Sequence, residues 1–449
     1  MASIHYEPKL VAILSISFFF SCIFVSSTGL VAALDPALLV SEGNALLESG
    51  WWSDYPYYSY LSSNPCNYWP GIVCDGAGSI TEISPPWPLK VGNKFGKMNF
   101  SCFSNLVRLD LANHDLNGSI PPQISTLPQL RYLNLSSNNL TGELPSSLGN
   151  LSQLVELDIS FNNFTITIPP ELGDLKNLVT LNLSYNRFSG PIPSALCHFD
   201  NLTHLHMDHN ALEGALPREI GNMKNLESLD VSYNRLNGPI PPTVGSSAKM
   251  RSLIFRQNKI NGSIPLEIGD LKNLEFLDLS SNVIAGSIPS TLGLLSNLTN
   301  LEFLNLSSNI IGGSIPSTLG LLSNLTNLQL LDLSSNILGG TFPLEIQNLK
   351  NLKELYLSSN NISGSIPPIM NSLRNLISLD LSNNQISGSI SPIMSSLRNL
   401  ISLDLSNNQI SGPIPSSLKY CEKLSFLDLS YNNLSGPIPS SLKNFTIIS

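Results

Sequence analysis

Three histidines and an aspartate, His204, His206, Asp208 and His209, fall within one short stretch of the chain. Imidazoles and carboxylates coordinate metals and transfer protons, and His204, His206 and Asp208 alternate, so a strand would place them on one face. A zinc site also needs an enclosing shell, and a nucleophilic triad needs a serine with a pocket and oxyanion donors; the sequence indicates neither. We therefore predict no catalytic residue, no metal and no cofactor here, and interpret the cluster as a binding surface.

The cluster lies within a sequence motif that repeats from Leu106 onward. Over residues 274–289 the motif has the form Leu-x-x-Leu-x-Leu-Ser-x-Asn-x-Ile-x-Gly-x-Ile-Pro. Its Asn recurs every 24 residues, with two steps of 27, at 138, 162, 186, 210, 234, 258, 282, 309, 336, 360, 384, 408 and 432. A period of about 20 to 29 residues with this pattern is typical of the leucine-rich repeat. His114 occupies the Asn position of an earlier repeat, so we number fourteen coils, from coil 1 at His114 to coil 14 at Asn432.

The spacing of the repeat predicts its structure. Leu-x-Leu is a short strand with one buried face, and the Asn amide can bond backbone groups of neighbouring coils. One repeat cannot bury enough apolar surface to offset the conformational entropy of its 24 residues, so the coils must stack. We predict an α/β solenoid, a right-handed superhelix with a parallel sheet on its concave side. The long steps, over 282–309 and 309–336, indicate tandem duplication of coils.

The middle residue of each strand should face outward on the concave side, and eight of these fourteen residues are Asp. We expect this column to be solvated and bonded to the Ser two places on; the alternative is an acidic strip that attracts a basic ligand or a cation. A glycosidase would need a cleft around the scissile bond, which a regular ladder lacks. Departures from the repeat should hold the specificity, because the frame is generic. The predicted ligand-binding residues are His204, His206, Asp208, His209, Tyr233, Arg251, Ile254, Arg256, Phe276 and Phe303.

The chain ahead of the coils divides into two further parts. Residues 1–33 resemble a secretory signal, with Lys9 before an apolar core; an uncleaved signal anchor is the alternative. Residues 34–105 should form an N-terminal cap with a degenerate first coil, closed by a Cys66–Cys74 disulfide. The cap is rich in Trp and Tyr, which we expect to cover the first coil; the alternative interpretation is a surface that stacks on carbohydrate. Residues 106–449 are the repeats, with an uncapped C-terminal end and no later membrane span. Cys102, Cys197 and Cys421 should be buried free thiols.

Composition excludes several protein classes. The chain has 449 residues, 23 Lys+Arg against 32 Asp+Glu, a net charge of -9 and only 12% charged residues. A coiled coil or a disordered chain needs more charge, and a nucleic-acid partner needs a basic face.

In a secreted chain, Asn-x-Ser/Thr sequons can carry glycans. We predict glycosylation at Asn99, Asn117, Asn139, Asn150, Asn163, Asn201, Asn261, Asn297, Asn324, Asn361 and Asn433, whereas glycans on Asn134, Asn182 or Asn305 would block the concave strip.

Cys-x7-Cys ahead of coils with Leu-x-Gly-x-Ile-Pro resembles the extracellular region of plant leucine-rich-repeat receptor-like kinases. Residues 46–52 and 69–74 are similar to the cap of the male-discoverer-interacting receptor-like kinase group. The resemblance implies plant-type repeats and a receptor, in development or defence, that binds a peptide or protein ligand outside the plasma membrane. It also implies a co-receptor kinase near the last coils.

The sequence departs from that family in having no second Cys pair, membrane span or kinase, so we expect either a truncated gene product or a secreted fragment. Membrane attachment would then need a missing downstream segment or a partner. The alternative function is a secreted inhibitor of cell-wall-degrading enzymes, similar to polygalacturonase-inhibiting proteins, although those have fewer coils and a Cys-closed end.

Overall fold

The Leu-x-Leu segments form one continuous sheet in the computed structural model, which describes residues 36–58, 61, 64–289, 300–315, 327–442 and 446–448. Each strand pairs in parallel with that of the next coil, and the leucines stay in register, as in Leu277 with Leu304. The concave strands of coils 1 to 14 are Arg108–Asp110, Tyr132–Asn134, Glu156–Asp158, Thr180–Asn182, His204–His206, Ser228–Asp230, Ser252–Ile254, Phe276–Asp278, Phe303–Asn305, Leu330–Asp332, Glu354–Tyr356, Ser378–Asp380, Ser402–Asp404 and Phe426–Asp428. The predicted leucine-rich-repeat solenoid is confirmed.

The N-terminal cap extends this sheet at its first edge. Helix α1 is Pro36–Ser49 and helix α2 is Pro65–Tyr68; strand β1, Ile72–Cys74, pairs antiparallel with β2, Ile80–Ile83, and β2 pairs in parallel with coil 1. The predicted disulfide joins α2 to β1, with its Cα atoms 5.7 Å apart. The signal sequence predicted over residues 1–33 lies outside the described residues.

The aromatic residues of the cap mostly cover the first coil. Trp51 and Trp52 are fully buried, and their indole nitrogens donate to the carbonyl oxygens of Lys94 and Pro70 at 3.0 and 3.1 Å. Their polar tips are therefore satisfied while their rings pack on the core. This contact pattern supports the cap rather than a carbohydrate-stacking surface, although Tyr57 and Tyr68 remain exposed.

The repeated Asn forms a buried ladder through the solenoid. In coil 8, Asn282 Nδ2 reaches the carbonyl oxygens of Phe255, one coil back, and of Leu279 and Ser280, at 2.9 to 3.2 Å. Its Oδ1 accepts from the backbone N–H of Ile260 at 3.0 Å. The same pattern occurs from Asn138 to Asn432. As predicted, the side chain satisfies backbone groups that turn away from the sheet and would otherwise be unpaired.

The return segments on the convex side are 3-10 helices, so α-helix is confined to the cap within the described chain. Proline precedes most of them and fixes the backbone at their entry. Within the described ranges the 3-10 segments are Gly92–Lys97 and Phe100–Cys102 in the cap, then Pro122–Thr126, Ser146–Asn150, Pro170–Asp174, Ser194–His198, Arg218–Asn222, Pro242–Ser246, Leu266–Asp270, Leu344–Asn348, Pro368–Ser372, Pro392–Ser396, Ser416–Tyr420 and Ser440–Leu442.

A second set of short parallel strands follows the Asn of most coils, which the repeat pattern did not predict. These strands are Asn117–Gly118, Asn139–Gly142 and Asn163–Phe164; Ser189–Gly190, Ala211–Gly214, Arg235–Pro239 and Lys259–Asn261; and Gly339–Thr341, Asn361–Ser365, Gln385–Ser389, Gln409–Pro413 and Asn433–Ser435. The Gly of Leu-x-Gly lies here in the left-handed region, as at Gly238 with φ +75°. A side chain would strain this conformation, which explains the repeated glycine.

Two features near the ends of the described chain differ from expectation. Strand Thr446–Ile448 pairs in parallel with the concave strand of coil 14, so the sheet continues one strand beyond the fourteen repeats. Cys102, Cys197 and Cys421 are free thiols, but Cys102 is half-buried rather than buried. It lies in the cap, in the 3-10 helix Phe100–Cys102, so it lacks the packing between full coils that covers the other two.

Candidate functional site

His204 and His206 lie side by side on the concave face of coil 5. Their rings are 6.0 Å apart and nearly perpendicular. His204 Nδ1 is 2.8 Å from Thr203 Oγ1, and His206 Nε2 is 3.0 Å from Ser228 Oγ on coil 6. Burial lowers the pKa of both imidazoles, because the charged form loses solvation. Both are therefore neutral near pH 7 and can donate or accept hydrogen bonds without carrying charge.

His209 belongs to a different column, at the edge of the concave face. Its Nδ1 is 2.9 Å from Asp208 Oδ2, and Ser184 Oγ of coil 4 donates to the other Asp208 oxygen. The structure therefore separates the predicted cluster. His204 and His206 face the centre of the sheet, whereas Asp208 orients His209 at its margin.

His209 is one of four rings that stack across consecutive coils, which we call the aromatic strip: Phe161, Tyr185, His209 and Tyr233. Ring centroids are 4.2, 4.0 and 4.2 Å apart in that order, with interplanar angles of 9°, 10° and 17°. Backbone hydrogen bonds fix this spacing, because each ring residue donates its N–H to the next coil, as Tyr185 does to Asp208 at 2.9 Å. Phe161 and Tyr185 were absent from the sequence prediction. The signal was present, since all four immediately precede the repeated Asn at intervals of 24 residues.

The backbone beneath the aromatic strip is strained. All four residues have φ of 52° or 53°, in the left-handed region. Bulky side chains are disfavoured there by about 1 kcal/mol or more each, and Ser or Asn fills this position in most other coils. Burial does not offset the cost in full, because Phe161 is 51% exposed and Tyr185 38%. Mutual stacking recovers part of it. Exposed aromatic residues at strained positions are more typical of a binding surface than of a stabilising core.

Arg256 of coil 7 lies next to Tyr233, the last ring of the aromatic strip. Its guanidinium carbon is 5.5 Å from the Tyr233 ring centroid, a cation–π distance. Its Nε is enclosed, and among the described residues it has no hydrogen-bond partner. Ile254 replaces the usual Asp between Asp230 and Asp278 and is half-buried. The Arg256 guanidinium, a cation with several hydrogen-bond donors, therefore lies close to an apolar side chain, Ile254, that interrupts the acidic column.

Arg251 was predicted with this group but is already paired. Its Nη1 is 2.6 Å from Glu275 on coil 8, and its Nε is 3.9 Å from Glu227 on coil 6. These ion pairs lie outside the central column, at the edge where the chain enters the strands. Arg251 is therefore less available to a ligand than Arg256.

Phe276 and Phe303 form a second apolar surface on coils 8 and 9. Their rings stack at 4.0 Å with an interplanar angle of 8°, and both side chains are half-buried. Leu330 continues their column at coil 10, in register with Phe303. Together with Ile254 on coil 7, they make an apolar patch diagonally opposite the aromatic strip.

The acidic column is mainly an internal hydrogen-bond ladder. The carboxylates of Asp158, Asp278, Asp332, Asp380, Asp404 and Asp428 accept from the backbone N–H of the Ser two residues on, as expected. Asp230 differs in its neighbours. Burial, and then the adjacent Asp208 carboxylate, raise its pKa from 3.8 to about 7, although Ser232 donates to it at 2.8 Å.

Asp230→Asn should make stability less dependent on pH. The folded chain holds its Asp230 proton more tightly than the unfolded chain, so Asp230 destabilises the fold as pH rises from about 4 to 7. The amide can still accept from Ser232, as Asn305 does from Ser307. In urea titrations, the free energy of unfolding of Asp230→Asn should exceed that of the wild type by roughly 1 to 2 kcal/mol at pH 8 and should equal it at pH 4. This magnitude allows for solvent screening of the Asp230 carboxylate. Equal effects at both pH values would contradict the raised pKa.

Clusters of metal ligands and helices able to span a membrane are both absent from the described residues. Across the described ranges, no three His, Cys, Asp or Glu side chains converge as they would around a metal ion. No helix in the same part of the chain combines the length and apolar character of a membrane span.

The predicted glycan acceptors are placed unevenly. Most are exposed: Asn99, Asn117, Asn139, Asn150, Asn201, Asn261, Asn361 and Asn433. Asn163 is half-buried and donates to Asn139 Oδ1 at 2.6 Å, and Asn201 donates to the Lys176 carbonyl oxygen. Asn297 and Asn324 lie outside the described residues. Glycosylation at all of these sites stays a prediction.

Profiles of the leucine-rich repeat match most of the coil region. The leucine-rich repeat region profile matches residues 234–380, and shorter repeat profiles match 129–151, 152–212, 178–236 and 374–434. A curated relative, a probable leucine-rich repeat receptor-like protein kinase of Arabidopsis thaliana, is 39% identical over 104 residues. That match covers 21% of this chain and 9% of the relative.

Two solved structures resemble the whole coil region. The plant peptide hormone receptor RGFR1 in complex with RGF2 is 33% identical with a TM-score of 0.74, covering 85% of this chain and 66% of the receptor. PEPR1 with AtPEP1 is 30% identical with a TM-score of 0.65, covering 91% and 71%. The chain thus spans about two thirds of these receptor chains. It belongs to the leucine-rich-repeat family, and its fold resembles that of plant leucine-rich-repeat receptor ectodomains.

Proposed function

We propose that this chain is the extracellular ligand-binding module of a plant receptor-like protein, and that it holds an extended peptide or a segment of a protein on the concave face of coils 3 to 9. One observation carries the proposal. The residues that depart from the repeat gather on adjacent coils, in the aromatic strip, the central histidines, Arg256 and the apolar patch.

The chemistry of these residues suits a peptide. Arg256 and neutral His206 can hydrogen-bond a carboxylate or backbone carbonyls, and hydrogen bonds from a charged donor are the stronger ones. Ile254, Phe276 and Phe303 offer an apolar anchor, and interface energy concentrates in such anchors. The aromatic strip presents ring edges and two phenol hydroxyls to the same ligand. A ligand crossing from the strip to the apolar patch would span about seven coils, or roughly 30 Å at the strand spacing.

The comparisons support the class of function but not the ligand. The peptide hormone receptor RGFR1 was solved in complex with RGF2, and PEPR1 with AtPEP1, and both folds match this chain closely enough to compare. By extension, we propose a location outside the plasma membrane, glycans on the exposed sequons and a co-receptor near the last coils. Roles in development or defence remain open within this proposal.

Restoring the repeat's own residues tests the site without disturbing the frame. Other coils carry Asp and Ser where coils 5 and 7 carry His206, Ile254 and Arg256, so the triple variant His206→Asp, Ile254→Asp and Arg256→Ser should fold. Peptides selected from a random display library on the wild-type chain should bind this variant about 100-fold more weakly, because it loses an anchor and a charged donor. Calorimetric Kd values measure the loss.

The matched control is Tyr356→Asp, which restores the repeat at coil 11, outside the site, and should leave affinity unchanged. Selected peptides that bind the triple variant as well as the wild type would refute the assignment. Inhibition of a cell-wall polysaccharide hydrolase by the chain, without any peptide selected, would favour the alternative of a secreted inhibitor.

A further inference from the structure

A basic groove lies at the side of coils 12 to 14, away from the proposed peptide site. It has a volume of about 640 Å³, and we call it the lateral groove. Its lining residues are Arg374, Ser395, Ser396, Arg398, Asn399 and Tyr420. Arg374 and Arg398 occupy the same repeat position on adjacent coils, whose concave strands pair in register. The two guanidinium groups therefore start from backbone positions about 5 Å apart.

The cations of the lateral groove are unneutralised. No ion pair of Arg374 or Arg398 is present within the described part of the chain, and both side chains are exposed. Glu422 occupies the same repeat position in coil 14. Lys423 beside it donates to Asn399 Oδ1 at 2.8 Å, and Lys419 lies 5.0 Å from the Tyr420 ring centroid. Four cations thus surround the groove in a chain of net charge -9, with Glu422 beside them.

The matching position carries a cation in several earlier coils, with an acidic residue close by in sequence in coils 4 and 8 but not at Lys224 or Lys350 in coils 6 and 11. Lys176 and Lys272 each follow an Asp by two residues, Asp174 and Asp270. In coils 12 and 13 those places hold Ser372 and Ser396, so the arginines have no such partner in sequence. The acidic column of the same coils faces the concave side, where Asp380 and Asp404 accept from Ser382 and Ser406. The groove is therefore a local reversal of the surface charge, and its natural complement is an anion.

The remaining lining residues distinguish between anionic ligands. Ser395 and Ser396 offer hydroxyl oxygens that can accept from sugar hydroxyls. The Asn399 amide is engaged within the chain, with Nδ2 donating to the Arg374 carbonyl oxygen at 3.0 Å and Oδ1 accepting from Lys423. Tyr420 is 53% exposed and gives an aromatic surface for the C–H face of a sugar ring. An acidic peptide would need an apolar pocket to anchor its side chains, and the lining provides no aliphatic residue.

We propose that the lateral groove binds an acidic oligosaccharide built from uronic acid units, with Arg374 and Arg398 pairing with sugar carboxylates and Tyr420 contacting a ring. Planar guanidinium groups match carboxylates in two-bond geometry. The Ser395 and Ser396 hydroxyls then bond the sugar hydroxyls. This binding is separate from peptide recognition, since it uses other residues on a different side of the coils.

The test measures binding of oligogalacturonate to the full chain by calorimetry. We expect binding at physiological ionic strength that is lost at about 1 M salt. The variant Arg374→Gln with Arg398→Gln should bind at least about tenfold more weakly, because it loses two charged hydrogen-bonding groups. The matched control, Lys176→Gln with Lys224→Gln, changes cations at the same repeat position in coils 4 and 6 and should bind normally.

Three further arms make the result decisive. A neutral oligogalactose should not bind, and an oligoglutamate of equal charge should bind at least about tenfold more weakly than oligogalacturonate. The coil 5 and 7 triple variant should bind oligogalacturonate normally, which separates this proposal from the peptide site. Absence of binding, equal binding of oligoglutamate, or equal losses in the arginine and lysine variants would each overturn the proposal.

Discussion

Replacing Asn282 by alanine should destabilise the solenoid by about 3 to 5 kcal/mol, since it leaves one buried N–H unpaired and removes three further hydrogen bonds. Asn282 is 8% exposed and connects coils 7 and 8. Alanine would leave the N–H of Ile260 buried and unsatisfied, at about 1 to 3 kcal/mol. It would also remove the hydrogen bonds to the carbonyl oxygens of Phe255, Leu279 and Ser280, each of which keeps one other donor. Because neighbouring coils stabilise one another, the loss should appear in urea titrations and in faster amide exchange in coils 7 to 9.

Asn273→Ala is the matched control for that change. Asn273 lies in the same coil and also bonds a neighbouring carbonyl, with Nδ2 2.9 Å from the oxygen of Ala248, but it is exposed. Water can replace its hydrogen bond, so we expect a loss of less than about 1 kcal/mol. Equal losses for Asn282→Ala and Asn273→Ala would show that burial of the Asn ladder is not what stabilises the coils.

Gly245→Ala should destabilise the fold by about 3 kcal/mol through a steric clash between coils. Gly245 lies in the last turn of the 3-10 helix Pro242–Ser246, and a Cβ there would lie 2.7 Å from both the carbonyl carbon and the Cβ of Glu267 in the next return segment. Its φ is ordinary, so the cost comes from contact rather than from backbone conformation. Relief would require the two coils to separate, which would disturb the adjacent core. Thermal unfolding measures the change.

The control is Gly96→Ala, in the cap. A Cβ at Gly96 meets no atom within 4 Å, and its φ is also ordinary. We expect this change to be neutral within about 0.5 kcal/mol, since alanine also restricts the unfolded chain. If Gly245→Ala proves as mild as Gly96→Ala, the close approach of the return segments is not needed for stability.

The frame of this fold could be predicted from the sequence because each of its elements is local and repeated. The alternation of Leu-x-Leu determines the strand, and the Asn at a fixed distance determines the ladder. The Cys66–Cys74 disulfide and the buried Trp51 and Trp52 followed from their place before the first coil. Contacts of this kind lie within one repeat or between two adjacent repeats, so their spacing is visible in the sequence.

The candidate site could be predicted only in part, because its contacts depend on side-chain directions across coils. Arg251 and Arg256 look equivalent in the sequence, yet only Arg251 lies between two glutamates. Phe161 and Tyr185 attract no attention singly and become informative when read with His209 at the same repeat position. The lateral groove was missed for a similar reason, since Arg374 and Arg398 resemble ordinary surface charges until the structure places them with Ser395, Ser396 and Tyr420 around one groove.

Photo-crosslinking at the aromatic strip tests the central claim, ligand binding on the concave face of coils 3 to 9, most directly. Tyr431 is the matched position, because it has the same φ of about 53° and is 83% exposed, but it lies in coil 14 outside the site. With benzoylphenylalanine in place of Tyr185, a peptide selected on the wild-type chain should crosslink on irradiation, and with the same group in place of Tyr431 it should not. Crosslinking at Tyr431 alone, or equally at both positions, would contradict the account.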